Sequence, residues 1–274
     1  MTLFAFDPAA FSAQKYNQSY FSTVMQDERV LLRWLATSAP RHLTVADPKI
    51  QSAGRRSLLD VGSGPTVHHM LSLCREVDEI VVSDYLAENL AEIQRWLDGE
   101  DAAHDWTPFA RDILAAEGTT PTRSRIGQRQ NLLRSKVKTL AAIDLRSPSP
   151  LYPAMPHGAS IEQPHFDVVT SFYCADSATP SVEEFHSMIA NLTTLIAAGG
   201  SFIGSFLGGC RGYRVGTRWL PSANLDADDI TSALSRSGLI VNELTCFQTP
   251  DLEGHGFDHI YVTAASKVAD ARAQ

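Results

Sequence analysis

The segment Ser57-Leu58-Leu59-Asp60-Val61-Gly62-Ser63-Gly64-Pro65-Thr66, followed by Glu79-Ile80-Val81-Val82-Ser83-Asp84-Tyr85, constrains this chain more than any other. One short apolar run ends in Asp-x-Gly-x-Gly and a second ends in an acid. This is the layout of a nucleoside-binding α/β unit, in which a strand stops at a glycine turn, a helix follows, and the next strand brings a carboxylate to a ribose. Gly62 and Gly64 have no Cβ and let the backbone come close to a ligand. Asp84 stands 22 residues beyond Gly62, where an acid accepts hydrogen bonds from ribose hydroxyls.

The same residues discriminate among nucleosides. A dinucleotide fingerprint has a third glycine where the helix opens, so that pyrophosphate rests on free N–H groups. Here that position is Val67, and Pro65 removes a further donor. Asp60 places negative charge beside the turn, which repels phosphate and attracts a sulfonium or an amino group. S-adenosylmethionine carries both cations and no phosphate. A nicotinamide-dependent reductase, the rival on the same architecture, is disfavoured by Val67.

With 274 residues, 44% of them hydrophobic, the chain supports one large α/β domain with additions. A net charge of −8 opposes nonspecific nucleic-acid binding. The basic stretch from Arg123 to Lys138 reads as a solvated helix face. Cys74, Cys174, Cys210 and Cys246 are far apart with no CxxC pair, as expected of reduced, buried thiols and no metal site. No apolar run reaches a membrane-spanning length and the first residues do not resemble a leader. The expectation is a cytoplasmic protein with no membrane or nucleic-acid partner.

Along the chain, residues 1–50 read as an N-terminal helical cap or lid, with an aromatic-rich helix from Tyr16 to Leu35 punctuated by Pro40 and Pro48. Residues 51–274 then alternate. Strands are expected at 57–61, 79–83, 138–143, 166–172, 201–207, 239–248 and 256–265. Helices are expected at 66–77, 86–98, 106–117, 126–137, 182–197 and 226–237, with Gly199-Gly200 closing the helix before the strand at 201–207. A Pro/Ser-rich loop covers 147–165. Alternation of this kind predicts a mostly parallel sheet covered on both faces, with ligands at the carboxyl ends of the strands.

On these residues the chain resembles the small-molecule methyltransferases that include nicotinamide, phenylethanolamine and indolethylamine N-methyltransferases. The closest matches are Leu59 to Thr66, Ile80 to Tyr85 with Asn89-Leu90, Phe6-Asp7-Pro8 with Tyr16, and Asn191-Leu192 leading to Gly199-Gly200. The resemblance implies a class I methyltransferase Rossmann-like fold, with a mostly parallel seven-stranded sheet flanked by helices and an N-terminal helical cap. It implies S-adenosylmethionine as cofactor, S-adenosylhomocysteine as product, and a monomer. By the same resemblance Tyr16 closes over the methionine carboxylate. Asp60, Gly62, Ser63, Gly64 and Thr66 surround the methionine moiety. Asp84 and Asn89 take the ribose, Tyr85 packs on adenine, and Asp144 with Leu145 reads the adenine edge. His68 stands where relatives have a tyrosine.

The acceptor side follows from the same comparison. Phe11, Tyr20, Tyr173, Phe206 and Tyr213 are the expected acceptor contacts, and Tyr213, Asp176 and His259 the catalytic candidates. Phe206 occupies the position where the amine and nicotinamide enzymes carry an acid. A buried ammonium without its carboxylate is costly, so the expected acceptor is a small aromatic or heteroaromatic, indole-like molecule, methylated on nitrogen or carbon in secondary metabolism. The alternatives are a nicotinamide or arylalkylamine N-methyltransferase proper and a non-catalytic adenosyl-ligand-binding protein. Arg211, Arg214 and Arg218 offer charge for an acidic acceptor, and His255, Asp258 and His259 start the last strand. Displacement at a sulfonium methyl needs mainly positioning and exclusion of water, so the lack of an obvious base in the sequence is compatible with activity.

Overall fold

Five parallel strands, β1 (Ser57–Val61), β2 (Glu79–Asp84), β3 (Val137–Ala142), β4 (Phe166–Phe172) and β5 (Ile196–Gly208), lie side by side in the order β3-β2-β1-β4-β5. Two antiparallel strands, β9 (His259–Lys267) and then β8 (Leu239–Gln248), extend the sheet beyond β5 to seven. A separate hairpin pairs β6 (Tyr213–Val215) with β7 (Arg218–Leu220). This computed structural model describes residues 11–43, 55–151, 165–210, 212–215, 218–249 and 256–268, without the side chains of 213–215 and 218. Phe6-Asp7-Pro8, Pro48, Arg211, His255 and most of the 147–165 loop lie outside the described residues.

Every residue of β1 and of β4 is buried, as expected of central strands in a sheet covered on both sides. Alternate side chains separate the two cores. Leu58, Ile80, Val82, Val168 and Ile203 face one cluster, and Leu59, Val61, Val169, Phe202 and Phe206 face the other. On the first face pack α2 (Gln26–Thr37), α3 (His68–Leu73), α4 (Ala87–Leu97), α5 (Thr107–Ala116) and α6 (Arg123–Lys136). The second face is covered by α7 (Val182–Thr193) and α8 (Ala227–Arg236). The strand order reverses between β1 and β4, which opens a crevice at their carboxyl ends.

Four local readings change. The aromatic-rich helix is two helices, α1 (Ala13–Tyr20) and α2, broken at 21–25. Ser22 and Thr23 are poor helix formers, and side chains occupy the carbonyls of the break: His104 Nε2 meets the Phe21 carbonyl at 3.0 Å and Arg29 donates to that of Val24 at 3.3 Å. Gly199-Gly200 does not close α7, which ends at Thr193. The pair sits inside β5, where the register against β4 jumps and a Cβ at Gly200 would meet two backbone oxygens at 2.9 Å. In the basic stretch, Arg129 is buried, bonded to both Glu117 carboxylate oxygens and the Leu71 carbonyl, and Arg134 stacks 4.0 Å from Trp96. Arg129 ties α6 to α3 and the end of α5, and Arg134 ties it to α4, while Arg123, Arg125 and Lys138 are exposed as expected. Cys246 is exposed, in contrast to the buried Cys74 and Cys210. No helix among the described residues is long and apolar enough to cross a membrane.

Candidate active site

A cavity of about 530 Å³ fills the crevice, within the range of small-ligand sites. Its floor is the turn after β1, where Gly62 and Gly64 have φ of 68° and 59°. The Gly62 and Ser63 N–H groups donate to the Ser83 carbonyl at 2.9 and 3.0 Å, and the Gly64 N–H donates to Asp84 Oδ2 at 2.8 Å. These donors are thereby spent inside the protein, and Pro65 has none, so the turn offers no phosphate cradle. A Cβ on Gly62 would strike Cys174 Sγ. One on Gly64 would meet no atom within 4 Å, so it would take up cavity space instead.

Asp84 ends β2 inside this wall. Its Oδ1 accepts from the Leu86 N–H at 2.8 Å and from Asn89 Nδ2 at 2.9 Å. Burial raises its pKa above the usual carboxylate value, and these hydrogen bonds pull the other way. Asn89 lines the cavity, and its Oδ1 is buried with no partner among the described residues. Opposite, α1 is tied to the glycine turn by Asn17 Nδ2 donating to the Pro65 carbonyl at 3.0 Å. This brings Tyr16, Tyr20 and Phe11 into the lining, with Tyr16 ring centroids 4.8 and 5.8 Å from the other two. Burial pushes the Tyr16 phenol well above its ordinary range, so it stays protonated as a donor. Tyr85 projects from the far rim, 56% exposed, beneath the Arg146 guanidinium at 4.8 Å. Asp144 and Leu145 line the same rim. Asp144 is gripped by Arg146 at 2.8 and 2.6 Å, which holds its pKa down. The Thr66 hydroxyl donates to the Ser63 carbonyl at 2.8 Å.

Several expected residues stand elsewhere. Asp60 lies behind the turn, takes a 2.6 Å hydrogen bond from Thr170 and is raised to about 6 by burial; it does not line the cavity. Phe206 is fully buried on the opposite face of the sheet, 5.2 Å from the Phe185 ring, and it is Leu207 that lines the cavity. A strand alternates faces, so one position decides which residue meets an acceptor. His259 shares the face of Phe206: it pairs with Gly208 across β5 and β9, and contacts Asp258 and the Tyr261 hydroxyl. Asp176 is buried outside the cavity, where its Oδ2 accepts from the Leu207 N–H at 2.9 Å. Burial raises Asp176 to about 6. Tyr173 does line the cavity. It holds a φ of 52°, the left-handed region that costs a non-glycine residue about 1–3 kcal/mol and collects at functional sites. The Tyr213 side chain lies outside the described residues.

The sequence reading missed Asp27 and Glu28 from α2 and His69 from α3, all in the lining. Glu28 Oε1 meets His68 Nε2 and His69 Nε2, each at 2.9 Å. Burial alone would raise Glu28, but the facing His69 and His68 outweigh it and hold the carboxyl well below its usual range. His68 is lowered to about 4, first by burial and then by its like-charged neighbour, so it is neutral at pH 7. The unusual His68-His69 pair in the sequence was the available signal. Its acid partner lies 40 residues upstream and only packing brings it in.

The residues from 6 to 264 match the model of the NNMT/PNMT/TEMT family. The chain belongs to that family. Members are methyltransferases whose methyl donor is S-adenosylmethionine. Human phenylethanolamine N-methyltransferase is 29% identical over 75% of this chain and 70% of its own length. Mouse indolethylamine N-methyltransferase is 29% identical over 69% and 68%. Human nicotinamide N-methyltransferase is 30% identical over 67% and 66%. Among solved structures, a S-adenosylmethionine-dependent methyltransferase from Clostridium acetobutylicum superposes with a TM-score of 0.53 at 11% identity, covering 93% of this chain and 98% of that one. Magnesium protoporphyrin IX methyltransferase from Synechocystis gives 0.51 at 18%, covering 92% and 93%. The fold is the class I methyltransferase fold.

The wall of this NNMT/PNMT/TEMT member suits that donor on its own chemistry. Asp27, Glu28, Asp84 and Asp144 put carboxylates on several sides of the cavity, and the open side of Gly64 leaves room.

Proposed function

We propose that this chain methylates a small aromatic or heteroaromatic acceptor, with the donor's adenosine along Asp84, Asn89, Tyr85, Asp144 and Leu145 and its amino-acid end beside Tyr16 and the glycine turn. The observation that carries the reading is that one cavity joins the glycine turn and Asp84 to an aromatic wall of Phe11, Tyr20, Phe172 and Tyr173. When bound, the donor supplies an electrophilic methyl on a sulfonium. The chain's own part is to hold, orient and dry the site. Tyr16 and α1 cover the cavity, Asp84 and Asn89 take hydroxyls, and the flat rings stack an acceptor within attacking reach. Leu207, apolar where an amine site wants an acid, favours a neutral acceptor. An arylalkylamine remains the second reading because Asp27 and Glu28 furnish carboxylates from the other wall.

Two measurements test this. Asp84→Ala should weaken S-adenosylhomocysteine binding about 100-fold by calorimetry, a loss of roughly 2.7 kcal/mol, while the melt stays cooperative. Unchanged affinity would remove the assignment of Asp84. Turnover of labelled methyl donor with indoles, pyridines, phenols and arylalkylamines, with products read by NMR, separates the acceptor classes. A protein that binds the donor and methylates none of them would be the non-catalytic alternative.

A further inference from the structure

We propose that His69, oriented by Glu28, takes a proton from the methyl acceptor, and that the acceptor is therefore an aromatic compound whose nucleophilic atom must lose a proton: a ring hydroxyl or an azole N–H. This rests on the methyl-transfer reading of the cavity given above.

The argument is a hydrogen-bond count. Glu28 Oε1 lies 2.9 Å from Nε2 of both His68 and His69. A neutral imidazole nitrogen facing a carboxylate oxygen carries the proton and donates it, so Nδ1 of each ring is a lone pair. The two lone pairs differ in access. His68 Nδ1 is sealed in the interior without a partner, its ring stacked on Trp106 at 4.9 Å. His69 lines the cavity, packed against Phe172 with ring centroids 4.4 Å apart. Its Nδ1 is neither hydrogen-bonded within the described residues nor enclosed by them. Glu28 thus fixes the tautomer that leaves a basic nitrogen at the cavity wall, and it faces the imidazolium that forms.

Acids face His69 from several elements. The ionisable groups near His69 are Asp27 and Glu28 from α2, Asp60 and Asp84 from β1 and β2, Tyr173, Cys174 and Asp176 following β4, and His68 and His104 on its own side. The two other histidines are both held toward their neutral forms by burial. The step balances. The acceptor's oxygen or nitrogen pair forms the bond to the methyl carbon, the carbon–sulfur pair stays on sulfur, and the acceptor's proton passes to His69 Nδ1. One positive charge enters on sulfur and one remains on the imidazolium. A ligand that attacks with a free lone pair, such as a pyridine, needs no such partner.

The same three atoms lie within 4.8 Å of one another and would suit a cation. A metal-bound imidazole donates its other N–H to an oxygen or water, and His68 Nδ1 has no such partner. Metal analysis of the purified protein decides between the two.

The decisive measurement needs no substitution: two-bond proton–nitrogen NMR of the full chain labelled with ¹⁵N-histidine. His69 should show the Nε2–H tautomer with a bare Nδ1, and Glu28→Gln should shift it toward a mixture. A Nδ1–H tautomer, or stoichiometric zinc or iron in the purified protein, overturns the proposal. Turnover then uses two flat bicyclic probes, 2-naphthol, which must lose a proton, and quinoline, which has only a lone pair. His69→Gln should slow 2-naphthol about 100-fold, in the range of general-base effects, and abolish the rise of kcat/KM with pH. S-adenosylhomocysteine affinity should hold within about 3-fold, and quinoline turnover should fall about 10-fold less than that of 2-naphthol, because only 2-naphthol gives up a proton. Equal slowing of both probes assigns His69 a merely structural role. If the unsubstituted chain methylates quinoline alone, the proton-losing acceptor class falls. If it methylates neither, the aromatic reading falls, and the ring spectra still decide the proton site.

Discussion

Asp176 separates burial from catalysis at the level of a single residue. It looked catalytic because it follows β4, yet its carboxylate fastens Leu207 and its backbone carbonyl accepts from Ala223 and Ser222 at 3.1 Å. Its folded pKa of about 6 exceeds the ordinary aspartate value of 3.8, so its contribution to stability is complete below pH 3.8 and is lost as the pH rises through 6. The shift corresponds to about 3 kcal/mol. Asp176→Asn should flatten the fall in stability between pH 4 and pH 7 by an amount of that order, read from urea melts at both pH values. A variant with the parent's slope would deny that this acid is the source. Residues of the first motif were legible because Gly62, Gly64 and Asp84 act through local turns and fixed strand lengths. Phe206 was not, because a strand's two faces differ by one position and nothing in β5 marks which residue turns inward. Glu28 and His69 escaped because their meeting depends on how α2 crosses α3.

The elements were legible where punctuation and periodicity agreed. β1, β2, β4 and α8 fall within a residue or so of their expected limits, and α8 opens with a capping box at Asp226 and Asp229. The Gly199-Gly200 pair misled because glycine serves a helix end and a strand bulge equally well. The first helix misled because the hydrophobic spacing runs through the break at Ser22-Thr23. That break matters, since it lets α1 turn over the cavity while α2 remains in the core with Leu31, Leu32 and Leu35. The link from Asn17 to the Pro65 carbonyl is the polar tie between α1 and the glycine turn. Asn17→Ala should cost about 1 kcal/mol there. Faster amide exchange across 13–20 and a roughly 5-fold weaker S-adenosylhomocysteine affinity are expected, and an unaltered exchange pattern would show that α1 is held by its aromatic packing alone.

At the scale of the molecule, α2 links the cavity at the middle of the sheet to one of its edges. Its first turn delivers Glu28 to the cavity. At its other end Trp34 Nε1–H donates to Glu243 Oε1 at 2.7 Å, and His42 meets Glu243 Oε2 at 2.7 Å, on the edge strand β8. Glu243→Ala would strand a buried indole N–H and should cost about 1–3 kcal/mol in urea unfolding. Donor affinity should hold, because no Glu243 atom reaches the cavity. A matching loss of donor affinity would mean that the edge strand and the cavity move together. The seven-stranded plan itself was legible from the alternation of runs, whereas this tie joins residues roughly 200 apart in the chain and has no local signature.

The backbone of the glycine turn carries a last consequence. With its amides bonded to Ser83 and Asp84, it withholds from ATP and other abundant adenylates the contacts their charged tails require. A turn of this kind disfavours look-alikes that share a donor's purine and sugar, and the Asp84 side chain has a part in that, because its Oδ2 occupies the Gly64 amide.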